Sequence, residues 1–95
     1  MITQQQIDII IKVMKPYNPK KIGIFGSFAR GENTEKSDID ILYDYEGKIT
    51  LFDHIRMINE LQEYLNKKVD LVTPDALHPL LKDQILKDVR VIYES

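Results

Sequence analysis

Residues 26–41 read GSFARGENTEKSDIDI: a small-residue turn, a polar loop, then two aspartates opening a run of isoleucines. Aspartate is depleted from strands, because its short charged side chain competes for backbone hydrogen bonds and gains nothing from a half-buried surface. Yet Asp38 and Asp40 stand beside Ile39, Ile41 and Leu42. Strand side chains alternate between faces, so both aspartates point one way while Ile39 and Ile41 point into the opposite layer. Same-face neighbours lie about 6.5–7 Å apart at the backbone, so the two carboxylates can lean onto one ion or two adjacent ones. Without a cation they repel, and one takes up a proton. The predicted strand has one structural face and one chemical face.

Asp70 repeats the pattern between Val69 and Leu71. If its strand neighbours the one that carries Asp38 and Asp40, a cross-strand spacing of about 5 Å brings a third carboxylate to the same place. Three convergent carboxylates make a hard, oxygen-rich site suited to Mg²⁺ or Mn²⁺, and Mg²⁺ typically takes one or two carboxylates plus substrate phosphates. The predicted ion therefore points to a nucleotide. Gly26-Ser27 is placed to hold its phosphates, since it follows the predicted strand Lys21–Phe25 and opens a helical turn with free backbone N–H groups. Arg30 adds forked donors for a terminal phosphate. Alone, a Gly-Ser is usually a turn, and an Asp-x-Asp is often a solvated strand edge or a calcium ligand pair. The further ligands and closing Glu of an EF-hand are missing. It is the combination and its order that select an active site.

The periodicities around this centre predict the remaining elements. Thr3 and Gln6 form a capping box ahead of Ile7, Ile10, Ile11 and Met14 at helical spacing; Pro16 and Pro19 stop that helix. Ile39–Tyr43 is the second strand. Phe52, Ile55, Ile58, Leu61 and Leu65 line an amphipathic helix, with Asn66 at its end. Val69–Val72 is the third strand. Leu77, Leu80, Leu81, Ile85 and Leu86 suggest a last helix, and Val89–Tyr93 a final strand. The order predicts an α/β (α+β) domain: a small mixed sheet of about four strands covered by helices, on one face. The apolar side of the last helix exceeds what so small a core needs.

Ninety-five residues support one domain spanning 1–95. The chain is 43% hydrophobic with a formal charge of −2, which argues against disorder and against an extensive nucleic-acid surface. It has no cysteine, excluding disulfides and thiolate metal sites. No signal peptide or membrane span is expected, and a cytoplasmic setting fits. His54 and His78 lack partners at metal-ligand spacing and are read as surface or packing residues.

The chain resembles the nucleotidyltransferase superfamily related to DNA polymerase beta. The residues that carry this are Ile24-Phe25-Gly26-Ser27, ten residues, then Asp38-Ile39-Asp40-Ile41. Within that superfamily it looks like the minimal nucleotidyltransferases, the MNT antitoxins of HEPN/MNT pairs; Gly26–Gly31 and Lys68–Val72 extend the likeness across nearly the whole chain. The resemblance implies phosphate binding by Gly26, Ser27 and Arg30, metal binding by Asp38 and Asp40, and a third catalytic and metal-binding carboxylate in Asp70. It implies two Mg²⁺ ions, ATP as donor, and AMP transfer to a tyrosine of a HEPN toxin partner. Two alternatives stay open: an antitoxin that neutralises by contact with a silent site, and nucleotidyl transfer to RNA or a small molecule. Asn66 stands where relatives often have Gly, a small departure because both tolerate left-handed backbone.

Overall fold

The Thr3 capping box forms as the sequence predicts. Gln6 N donates to Thr3 Oγ1 and Thr3 N donates to Gln6 Oε1, opening helix α1 at Gln4–Met14. A computed structural model, describing residues 1–95, then continues through a 3-10 turn at Lys15–Tyr17 and a left-handed Asn18. Strand β1 spans Pro19–Phe25, helix α2 Ser27–Arg30 and strand β2 Ile39–Tyr45. Helix α3, Leu51–Leu65, starts on a second capping box between Thr50 and Asp53 and ends on Asn66, whose φ is 53°. Strand β3 is Val69–Val72, followed by a 3-10 turn at Pro74–Ala76, helix α4 at Pro79–Asp88 and strand β4 at Arg90–Glu94. Pro19, expected to lie before the first strand, begins it, a position where a missing N–H removes little from the ladder.

The strands line up in the order β3-β2-β1-β4. β2 and β3 run parallel, joined through α3, while β1 is antiparallel to both β2 and β4. The sheet is therefore mixed. Its core face carries Ile22, Ile24, Ile39, Ile41 and Tyr43, which pack with Ile10 and Met14 of α1 and Met57 and Leu61 of α3 in one buried cluster. Alternation places Asp40, Leu42, Gly23 and Phe25 on the other face.

That second face is not bare, which corrects the expectation of helices on one side only. The chain leaves β3 at one edge of the sheet and must reach β4 at the other, so α4 crosses the aspartate face. Phe25 and Leu42 are buried there, outside the main cluster. The crossing is a loose one. α4 has no buried residue, and Leu80 is 85% and Leu81 53% exposed. The predicted helix also starts late: Leu77 remains extended, and His78 caps the helix by accepting from Leu80 N at its Nδ1.

Candidate active site

Backbone conformation fixes the first component. Gly26 has φ 72° and ψ −151°, a region open essentially to glycine alone. This turn ends β1 and starts α2, with no side chain capping the helix. The first N–H groups of any helix lack intrahelical acceptors, so Ser27 and its neighbour present donors at this corner. Gly31 closes the turn at φ 73°.

The carboxylates meet this corner from β2. Phe25 is the register partner of Asp40 across the antiparallel ladder, so the start of β2 faces the end of β1. Asp40 Oδ2 lies so close to the Gly26 Cα that a methyl group there would overlap it. Asp70 joins from the other side, because Asp40 and Asp70 are register partners in the parallel ladder. Asp38 stands just before the strand and is exposed, as is Asp70; Asp40 is half-buried. Burial, then the charges of Asp70 and Asp38, push the Asp40 carboxyl up to about 6, with Arg30 opposing. Asp40 is thus the hub: the Gly26 turn touches it, Asp70 pairs with it across the ladder, and the charge of Asp38 reaches it.

These carboxylates do not form a closed cage. No three His, Cys, Asp or Glu side chains are gathered so as to hold a metal unaided, and the principal hollows of the surface are lined by other residues. An open set of hard oxygen donors nevertheless fits a Mg²⁺-type ion that brings phosphate oxygens as its remaining ligands. The crowding of charge on Asp40 is what a cation would relieve.

Arg30 is placed differently from the simple expectation. Its Nε donates to Glu32 and its Nη1 to Asp88, both at 3.1 Å. The guanidinium thus ties α2 to the end of α4, and a phosphate would use its remaining N–H groups or compete with Asp88. Neither Glu32 nor Asp88 stood out in the sequence, because an exposed acid partner of arginine leaves no periodic or motif signal. Tyr43 and His54 hold another unforeseen contact, with the phenol oxygen 2.7 Å from Nδ1. It lies on the core face and pins α3 to β2; His54 is a packing residue, as its sequence setting suggested.

The family described as "Polymerase beta, Nucleotidyltransferase" matches residues 8–95. A Methanocaldococcus jannaschii protein named "Putative protein adenylyltransferase" is 49% identical over 80 residues, covering 83% of this chain and 85% of that one. "Protein adenylyltransferase MntA" of Thermococcus cleftensis is 34% identical over 94 residues, covering 94% of this chain and 95% of its own. A chain in the solved complex of tri-AMPylated Shewanella oneidensis HEPN toxin with MNT antitoxin superposes with a TM-score of 0.77. It covers 99% of this chain and 74% of that one at 21% identity, a likeness of fold.

Proposed function

Because the chain belongs to the Polymerase beta nucleotidyltransferase family, we propose that it transfers AMP from ATP to a tyrosine of a HEPN-type partner protein, and so acts as an antitoxin. The observation that carries this reading is the meeting of Asp40 with both Gly26 and Asp70. It sets a glycine turn with free backbone donors beside the carboxylates, which supports phosphate binding there. The names of the relatives support adenylyl transfer to protein, and the solved complex of an AMPylated HEPN toxin supports the partner.

In this reading Gly26 and Ser27 hold the triphosphate through backbone N–H groups and the Ser27 hydroxyl, and Arg30 contacts an outer phosphate. Asp38 and Asp40, with Asp70, hold divalent cations together with the phosphates. Such ions, when bound, offset charge on the triphosphate and acidify the acceptor hydroxyl. The acceptor oxygen bonds to the α-phosphorus while the bond to the β-phosphate oxygen breaks and pyrophosphate leaves. The hydroxyl proton passes to Asp70, which is exposed, or to water beside it. An open site suits this substrate, since a protein acceptor supplies the second wall.

The test is incubation of the purified chain with α-labelled ATP, Mg²⁺ and a lysate of its own host, beside an Asp38→Asn/Asp40→Asn control. A labelled protein band with wild type alone is expected. Label on RNA or a small molecule would replace the acceptor, and no label, with the partner shown bound, would replace the chemistry.

A further inference from the structure

The aspartate face holds a hollow that the transfer site leaves unassigned. Its volume is about 270 Å³. Leu42 and Asp44 of β2 and Lys21 of β1 form the floor, and Pro74, Leu86 and Val89 the walls. Leu42 is the next same-face residue after Asp40, about 6.5–7 Å along the strand, comparable to the length of a tyrosine ring. Val89 seals the side over β1, where it would leave only 2.5 Å to a Cβ on Gly23.

Direction decides what the hollow holds. Asp40 pairs with Phe25 and Leu42 with Gly23, so a step from Asp40 to Leu42 leads away from the Gly26-Ser27 turn. In an in-line displacement the attacking and leaving oxygens lie on opposite sides of phosphorus. With the triphosphate held at Gly26-Ser27, pyrophosphate leaves on that side and the acceptor enters from the groove side. Apolar walls of this size suit an aromatic ring, and a serine or threonine side chain would leave them unfilled.

We propose that the groove between α4 and β2 is the acceptor subsite, and that it takes the phenol ring of a protein tyrosine with its hydroxyl turned toward Asp40 and Asp70. This rests on the nucleotidyl-transfer reading and makes α4 part of acceptor selection. The partner's tyrosine segment lies along Leu42 and Leu86, and ATP occupies the opposite side of the carboxylates.

A methyl NMR titration of the full chain with N-acetyl-tyrosinamide, run beside one with ATP and Mg²⁺, tests the assignment. The amide is expected to move the Leu42, Leu86 and Val89 methyl signals, while ATP moves the backbone signals of Gly26 and Ser27. Leu86→Trp, which fills the hollow, is expected to weaken the amide about tenfold or more and leave ATP binding within about twofold. The subsite is overturned if ATP claims the groove methyls, if N-acetyl-serinamide moves them equally, or if the tyrosine amide leaves them still. The titration needs no turnover. A chain that binds the amide in the groove yet transfers no AMP would refute the proposed function and the acceptor role with it, leaving the groove a tyrosine-binding hollow. One that labels tyrosine with the groove methyls unmoved would refute the groove alone.

Discussion

Asp40 and Asp70 face each other as register partners across the one parallel pair of strands in the sheet. The pairing loads like charge onto a half-buried carboxylate, whose pKa is pushed up to about 6 by burial first and by Asp70 and Asp38 next. A group whose pKa is raised on folding contributes stability that is complete below its unfolded value, near 4, and is lost as pH rises through about 6. The metal-free protein is therefore strained at neutral pH. After discounting for solvent screening, the cost is about 1 kcal/mol. Asp40→Asn should raise the metal-free Tm at pH 7.5 by about 4–8 °C and leave it nearly unchanged at pH 4, while transfer is lost. Thermal unfolding at both pH values checks this; an equal shift at both would show that charge is not the cause.

Divalent cation should act on the same strain. Mg²⁺ with ATP is expected to raise Tm at pH 7.5 and to do so much less at pH 5, where Asp40 is largely protonated. EDTA should reverse the gain, and the Asp38→Asn/Asp40→Asn variant should show none. A shift that persists in that variant would place the nucleotide elsewhere.

Gly26→Ala meets two obstacles. Its φ of 72° with ψ −151° disfavours any Cβ, and the added methyl overlaps the Asp40 carboxylate. A loss of about 1–3 kcal/mol is expected from the backbone alone, together with loss of the nucleotide-dependent Tm shift. Denaturant unfolding with and without ATP measures both. An alanine variant of normal stability and ATP response would remove this turn from the site.

Much of this centre is legible in the sequence because its parts violate local preference. Asp40 and Asp70 lie in strands among Ile and Val, and Gly-Ser interrupts an apolar run, so each conflict marks a position that packing alone does not explain. The capping box at Thr3, the left-handed Asn66 and the strand Val69–Val72 follow from equally local rules. What escapes is long-range. That α4 crosses the aspartate face depends on β4 pairing with β1 rather than extending beyond β3, and neighbour choice in a sheet has no local signature. The same holds for the Arg30–Asp88 contact, which links residues 58 apart in the chain. The apolar side of α4 exceeds what so small a core needs, as its sequence suggests, and the helix crosses the sheet with none of its residues buried.

That loose docking has a dynamic consequence. Local opening is easiest where few apolar contacts would be broken, so amide hydrogens of α4 should exchange far faster than those of β1 and β2. Asp88→Asn releases one partner of Arg30; it should accelerate exchange in α4 further and tighten ATP binding several-fold by freeing guanidinium N–H groups. Hydrogen exchange and an ATP titration report the two effects separately. Protection of α4 equal to that of the sheet, or weaker ATP binding in the variant, would contradict this picture.

The central claim is that Asp38, Asp40 and Asp70 serve AMP transfer to protein, and intact-mass analysis of a HEPN-type partner tests it most directly. The partner is measured after incubation with ATP, Mg²⁺ and either this chain or its Asp38→Asn/Asp40→Asn variant. The account predicts a mass gain of one or more AMP groups on a tyrosine with the wild-type chain alone. A partner that binds the wild-type chain and keeps its original mass, or gains AMP equally from the variant, would contradict it.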